Sequence, residues 1–190
     1  MAKSLTLILG GARSGKSTFA QKLAEQRGRD VLFVATAEAL DDEMAHRIAA
    51  HKAERPSHWQ TLETPLNVGK SIAMSKGEFE VVLLDCMTLL ASNVLLSFKD
   101  SEMPERAPLA LKIEVEGILT SFRQGKSSWI IVSNEVGLGL VPDNPLGRIY
   151  RDVLGTANQK IAECADEVLF MVAGIPLFRH LKSDDKERPE

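Results

Sequence analysis

The chain has 190 residues and a formal net charge of −3, from 23 Lys and Arg against 26 Asp and Glu. This length suits one domain with a buried core, and the mild acidity offers no field that would attract nucleic acid or an anionic membrane. The two cysteines, Cys86 and Cys164, form no metal or redox pair in sequence, so we expect buried free thiols and a reducing cytoplasm. Because no apolar run approaches the roughly 18 residues of a membrane helix and no signal pattern is present, we expect no membrane span.

Short apolar, β-branched runs alternate along the chain with longer helical patterns. The runs predict buried strands at 5–9, 31–35, 80–84, 129–133 and 167–173, and the patterns predict helices at 16–27, 42–54, 66–76, 105–124 and 145–164. Strands buried on both faces and separated by helices are typical of parallel sheets with right-handed crossovers. The sequence therefore predicts a single α/β domain, residues 1–182, with a mostly parallel, twisted sheet and helices on both faces.

Two segments outside this alternation are polar. Residues 97–108 are interpreted as a surface loop, with Pro104 and Pro108 as breakers. Residues 183–190 are predicted to be a charged, disordered tail.

The first motif, GGARSGKS, follows the first predicted strand and fits the pattern G-x-x-x-x-G-K-[S/T]. A glycine-rich turn between a strand and a helix directs backbone N–H groups at an anion near the positive end of the helix dipole. Lys16 is expected to reach the β and γ oxygens of a nucleotide and to act in catalysis, and Ser17 to bind Mg²⁺. An ordinary glycine turn is the alternative. The motif predicts a P-loop NTPase-like domain with nucleotide contacts from Gly10, Gly11, Ala12, Arg13, Ser14, Gly15, Lys16 and Ser17.

The predicted helix at 42–54 begins with acidic residues and stops before Pro56. Arg47, His51 and Arg55 stand four residues apart and share a helix face, so two guanidinium groups flank one imidazole. Positive neighbours lower the pKa of a histidine and keep it nucleophilic near neutral pH. A solvated charged face with an incidental histidine is the alternative that spacing alone leaves open.

Asp85 ends the buried run Val-Val-Leu-Leu-Asp, where a carboxylate is placed to bind Mg²⁺ beside the P-loop serine. The alternative is a cap for a following helix. The chain has neither an Asn-Lys-x-Asp motif nor an Asp-x-x-Gly motif at this strand, which argues against a signalling GTPase.

Several segments together resemble the adenosylcobinamide kinase/adenosylcobinamide-phosphate guanylyltransferase family, over residues 5 to 182. They are GGARSGKS at 10–17, VATA at 34–37, DEM at 42–44 with RI at 47–48 and HK at 51–52, RP at 55–56 with WQT at 59–61 and Glu63, LDCMT at 84–88, SNEVG at 133–137, VPDN at 141–144, RD at 151–152 and NQ at 158–159. The P-loop is shared by many enzymes, whereas the histidine helix and the SNEVG segment in this order are specific.

The resemblance implies an enzyme that phosphorylates adenosylcobinamide with ATP or GTP and then transfers GMP from GTP to the resulting phosphate. His51 matches the family's GMP-carrying histidine, whereas His46, His58 and His180 match no functional position and are expected at the surface. The resemblance also implies nucleotide binding by Ala35, Thr36, Ala37, Lys52, Ala53, Glu54, Arg55, Glu63 and Asp85, and a homotrimer with sites between subunits. Two alternatives are a plain P-loop small-molecule kinase, which would leave His51 idle, and a non-catalytic nucleotide-binding regulator.

Overall fold

The computed structural model describes residues 2–38, 46, 48–49, 52–53 and 55–181, and for residues 178–181 it describes only the backbone. Within this part of the chain, one sheet of seven strands is flanked by five helices. The strands are β1 (Leu5–Gly10), β2 (Val31–Ala35), β3 (Gln60–Glu63), β4 (Val81–Asp85), β5 (Ser128–Val132), β6 (Glu167–Val172) and β7 (Ile175–Leu181). The helices are α1 (Lys16–Arg27), α2 (Val68–Met74), α3 (Met87–Leu96), α4 (Met103–Gln124) and α5 (Pro145–Cys164).

The strand order in the sheet is β3-β2-β4-β5-β1-β6-β7, and all neighbouring strands run parallel except the last pair, which is antiparallel. The carboxyl ends of β1, β2, β4 and β5 therefore meet at one edge of the sheet. In open parallel sheets, ligands bind in the crevice outside these carboxyl ends. The predicted α/β fold with a mostly parallel sheet and helices on both faces is confirmed.

Side chains of the central strands alternate between two buried clusters, as expected for a sheet covered on both faces. One cluster lies under α1, where Ile8, Phe33 and Leu83 pack with Ala20 and Ala24 of the helix. The other cluster lies under α2 to α5 and takes the intervening strand residues, such as Leu7 and Leu84. These two cores fix the sheet and hence the positions of its carboxyl ends.

The helix α3 and the strands β3 and β7 are absent from the sequence-based prediction, and α4 begins earlier than predicted. The predicted loop at 97–108 is wrong over its second half, because α4 begins at Met103 and Pro108 lies inside it. Pro104 stands in the first turn, where the missing N–H costs no helical hydrogen bond. The predicted helix at 42–54 falls mostly outside the described residues, and its described members at 46, 48–49 and 52–53 are helical. The predicted tail at 183–190 also lies outside them.

No helix in the described part of the chain is both long and apolar enough to cross a bilayer. Both cysteines are free, as the sequence predicts, but each is partly rather than fully buried.

Candidate active site

The loop between β1 and α1 has the backbone that its glycines permit. Gly10 has a φ of 153° and Gly15 a φ of 89°, values that disfavour any side chain, and Arg13 also has a positive φ of 56°. A Cβ atom on Gly10 would lie 2.4 Å from the carbonyl oxygen of Met171, and one on Gly15 would lie 2.9 Å from Cα of Gly174. The glycines thus serve both the turn and the close approach of the β6–β7 hairpin.

Lys16 begins α1 with its side chain buried against the loop. Its Nζ donates to the carbonyl oxygen of Gly11 at 2.6 Å and to Oγ of Ser14 at 3.4 Å. Burial lowers the pKa of this ammonium group, while the nearby Cys86 and Asp85 oppose the shift. Within the described residues, this buried cation donates its hydrogen bonds to loop oxygens, so it is poised to neutralise a bound phosphate.

Asp85 ends β4 and lies level with Val132 of β5. The residue at the N-cap of α3 is Cys86, whose side chain makes no capping hydrogen bond. Burial, and secondarily the Asp85 charge, raises the pKa of the Cys86 thiol to about 11, so the thiol is neutral at physiological pH. Of the neighbouring side chains of Asp85 and Cys86, it is therefore the Asp85 carboxylate that contributes a charge at the end of β4.

The Ser17 hydroxyl and the Asp85 carboxylate are hard oxygen donors of the kind that Mg²⁺ takes. Among the described residues, no group of three or more His, Cys, Asp or Glu side chains could hold a metal ion. Mg²⁺ in nucleotide sites is commonly held by one or two protein oxygens together with substrate phosphates and water, so it needs no such cluster. This donor set fits an ion that arrives with the nucleotide.

Thr36 follows β2 and forms hydrogen bonds with the residue between β4 and α3 and with a side chain of α3. Its Oγ1 donates to the carbonyl oxygen of Cys86 at 2.7 Å and accepts from the Cys86 N–H at 3.1 Å. Its own carbonyl accepts from Nδ2 of Asn93 in α3 at 2.8 Å. The Thr36 hydroxyl is thus engaged within the protein, between the buried Ala35 and the partly exposed Ala37.

Besides the glycine-rich loop, a second candidate binding region is a cavity of about 360 Å³ near the carboxyl end of β3, called the second cavity below. It is lined by Lys52, Arg55, Pro56, Ser57, Trp59, Thr61 and Glu63. Lys52 forms an ion pair with Glu63, and the Arg55 guanidinium lies 3.8 Å from the ring centroid of Phe33. Charged groups of both signs therefore line this cavity.

Three buried donors around this cavity have no hydrogen-bond partner in the described part of the chain: Nε and Nη1 of Arg55 and Nε1 of Trp59. Burial lowers the pKa of Arg55, and the charges of Asp85 and Glu63 oppose that shift. Leaving such donors unpaired costs about 1–3 kcal/mol each, more when the group is charged. An acceptor bound in the cavity would remove this cost.

The remaining predicted site residues are placed only in part. His51 and Glu54 lie outside the described residues, and Ala53 is exposed. His46 and His58 are exposed, as predicted, whereas the side chain of His180 is not described. What the structure does bring to the same edge of the sheet is the loop with Lys16, the carboxylate of Asp85 and the guanidinium of Arg55.

Sequence reasoning missed the contribution of β5 and of the β6–β7 hairpin. Ser133, Asn134 and Asn158 belong to the segments that carry the family resemblance, but their spacing predicts no role. In the fold, Oγ of Ser133 donates to Oδ1 of Asn158 at 2.6 Å, and the Asn158 amide donates to the carbonyl oxygen of Asn134 at 3.0 Å. Only the long-range contacts reveal this network.

Comparison of the three-dimensional fold finds the RadB recombinase, with a TM-score of 0.50 and 15% identity over 88% of this chain and 73% of that protein. This likeness concerns the fold alone.

Comparison of the sequence finds closer relatives. The chain is 44% identical to the bifunctional adenosylcobalamin biosynthesis protein CobP of Pseudomonas aeruginosa over an alignment of 171 residues. That alignment covers 90% of this chain and 94% of the relative. It is 37% and 38% identical to the bifunctional adenosylcobalamin biosynthesis proteins CobU of Escherichia coli and Salmonella typhimurium, in each case over 90% of this chain and 97% of the relative. The profile of the family described as cobinamide kinase / cobinamide phosphate guanyltransferase matches residues 6–178. The chain belongs to the cobinamide kinase/cobinamide phosphate guanyltransferase family.

Proposed function

We propose that this chain is a bifunctional enzyme of cobalamin biosynthesis that phosphorylates adenosylcobinamide and then transfers GMP to the product. The observation that carries the proposal is that the glycine-rich loop with Lys16, the carboxylate of Asp85 and the cavity lined by Arg55 lie at one edge of the sheet. The charge of Asp85 opposes the pKa shifts of both Lys16 in the phosphate loop and Arg55 at the second cavity. A single edge of the sheet thus offers positive charge to two different parts of a nucleotide.

In the kinase step, the aminopropanol hydroxyl of adenosylcobinamide attacks the γ-phosphorus of ATP or GTP. The bond from that phosphorus to the β–γ bridging oxygen breaks, the nucleoside diphosphate leaves, and the hydroxyl proton is released. Lys16 and the loop N–H groups stabilise the charge on the transferring group. Ser17 and Asp85 would hold Mg²⁺, which supplies charge neutralisation on the phosphate oxygens.

In the transferase step, an imidazole nitrogen of His51 attacks the α-phosphorus of GTP and pyrophosphate leaves. The phosphate of adenosylcobinamide phosphate then attacks the same phosphorus, the P–N bond breaks, and adenosyl-GDP-cobinamide is released. Covalent catalysis divides one displacement into two easier ones. The second cavity is lined by Lys52, Arg55 and Glu63, and the residues that follow His51 in sequence include Ala53 and Glu54. We assign all five to nucleotide binding. The unpaired donors of Arg55 suit an acceptor group of the nucleotide.

We further propose a homotrimer in the cytoplasm. One nucleotide bound to a rigid loop does not readily present its γ- and α-phosphorus to two different nucleophiles, and a neighbouring subunit that completes the site would resolve this. Free thiols at Cys86 and Cys164 support a reducing compartment.

The experiment is incubation of the protein with γ-labelled and α-labelled GTP, each with and without adenosylcobinamide. We expect γ-label in the corrinoid, α-label on the protein without acceptor, and α-label in the corrinoid when the acceptor is present. Transfer of γ-label alone would identify a plain P-loop kinase. Binding without any transfer would identify a nucleotide-binding regulator.

A further inference from the structure

We propose that Asn134 contacts the γ-phosphoryl group of the bound nucleotide, its side-chain amide donating a hydrogen bond to a γ oxygen. This inference rests on the proposed nucleotide site and adds a catalytic residue to it. Strand order is the first observation. β5 lies between β1, which carries the phosphate loop, and β4, which carries Asp85. Val132 is level with both Ile8 and Asp85, so Asn134 stands two residues beyond that level at the carboxyl edge.

The backbone around Asn134 is fixed from several elements. Its N–H donates to Oγ1 of Thr88 in α3 at 3.0 Å, and its carbonyl accepts from the amide of Asn158 in α5. The next residue, Glu135, donates its N–H to the carbonyl oxygen of Gly10, the first residue of the phosphate loop, at 3.0 Å. Asn134 therefore lies between the loop and the start of α3, held on both sides.

This arrangement uses buried polar side chains where apolar ones would suffice for packing. Ser133 is fully buried and Asn158 is 5% exposed, and each is engaged in the hydrogen bonds that lead to Asn134. Burying polar groups is costly unless every group is satisfied, and a satisfied network makes its members rigid. The rigid end of this network is the Asn134 backbone.

The Asn134 side chain itself makes no hydrogen bond with the described part of the chain, and the residue is partly exposed at this edge. An uncharged amide has the chemistry that the position needs. It donates to a phosphate oxygen without adding a second cation beside Lys16 and without competing with Asp85 for a metal ion. A carboxylate in the same place would repel the γ-phosphoryl group.

The test compares two nucleotides that differ only in the γ-phosphoryl group, α,β-methylene-GDP and α,β-methylene-GTP, with Mg²⁺ and without cobinamide. The methylene bridge prevents transfer at the α-phosphorus, so calorimetry measures binding alone. For Asn134→Ala we expect the preference for the triphosphate over the diphosphate to fall about tenfold or more, because a hydrogen bond to a charged group is lost. The affinity for the diphosphate should change little.

Asn134→Asp keeps the size of the side chain and should reduce the preference further than Asn134→Ala. Asn144→Ala is the matched control, because the Asn144 side chain caps α5 by accepting from the Gly147 N–H at the surface, and it should leave the preference unchanged. Equal weakening of both nucleotides, an unchanged preference in Asn134→Ala, or a stronger preference in Asn134→Asp would overturn the inference while leaving the nucleotide site intact. Failure of the unaltered protein to bind either nucleotide would overturn the site and this inference together.

Discussion

The backbone N–H of Gly174 donates a 2.8 Å hydrogen bond to the carbonyl oxygen of Ser14. The tip of the β6–β7 hairpin is thereby joined to the glycine-rich loop between β1 and α1, although the two segments are far apart in sequence. The turn at Ala173 and Gly174 has positive φ angles of 50° and 81°, which bring the Gly174 N–H into reach. The hairpin thus supports the loop from the side opposite β5.

Gly15→Ala should disrupt this contact. The new methyl group would lie 2.9 Å from Cα of Gly174, at a φ of 89° that alanine rarely adopts. Strain of this kind costs about 1–3 kcal/mol, so we expect the Kd for GTP, measured by calorimetry, to rise about tenfold or more. Gly139→Ala is the control, because a Cβ there meets no heavy atom within 4 Å. An unchanged Kd in folded Gly15→Ala would show that the hairpin does not constrain the loop.

Lys16→Ala should lower kinase turnover about a hundredfold, because one charge-stabilising group at the γ-phosphoryl is lost. Near-normal turnover in the folded variant would refute the assignment of this loop.

The pH profile of the unaltered enzyme gives an independent test of Lys16. Because burial lowers its pKa below the ordinary 10.5, the ammonium form is lost earlier as the pH rises. Kinase kcat/KM, which reports the free enzyme, should therefore fall on the alkaline side at a pH below 10.5. A profile that stays flat to that pH would contradict a charged Lys16 in the mechanism.

Asp85→Asn should raise the Mg²⁺ concentration needed for half-maximal kinase activity, since an amide is a poorer ligand of similar size. We expect a clear rise in the metal requirement but only a small change in the melting temperature, because Cys86 rather than Asp85 occupies the N-cap of α3. If the metal requirement were unchanged and stability fell, Asp85 would be a structural residue instead.

Gly69→Ala should destabilise the fold without touching the site. A Cβ on Gly69 of α2 would lie 2.2 Å from the carbonyl carbon of Gly117 in α4, so the two helices would have to separate. Overpacking of this kind costs about 1–3 kcal/mol, measurable by urea denaturation.

Gly117→Ala is the matched control for that crossing. Its Cβ meets no heavy atom within 4 Å, and alanine inside a helix is favoured over glycine by up to about 1 kcal/mol. Equal stability of the Gly69→Ala and Gly117→Ala proteins would show that α2 and α4 are not in close contact.

The elements that sequence predicts well here are those with strong local signals. The five predicted strands coincide with β1, β2, β4, β5 and β6 to within one residue at each end, because each is a short and mostly apolar run. The first four are buried along nearly their whole length, whereas β6 alternates between buried and partly exposed residues. By contrast, β3 reads Gln-Thr-Leu-Glu and is largely exposed, so no buried run marks it. α3 follows β4 after one residue, and its polar residues Thr88, Ser92 and Asn93 do not form a regular helical period among the apolar ones.

The site was predictable where a motif carries its own geometry. The loop around Lys16 and the strand-end position of Asp85 follow from sequence, since a strand, a turn and a helix are adjacent in the chain. Arg55 illustrates the limit. Its spacing suggests a charged helix face, but the structure stacks it on Phe33 with buried donors, a contact between residues 22 positions apart. Asn134 likewise depends on partners in α3 and α5.

The most direct measurement is labelling of the protein by [α-³²P]GTP in the absence of cobinamide, comparing His51→Ala with His46→Ala. We expect His46→Ala to be labelled like the unaltered protein, in an acid-labile, base-stable form typical of phosphorus bonded to an imidazole nitrogen. His51→Ala should carry no label and transfer no GMP, yet retain most of its kinase activity, because Lys16, Ser17 and Asp85 are untouched. Loss of labelling in His46→Ala but not in His51→Ala, or labelling of both variants, would contradict a guanylyl-histidine at His51.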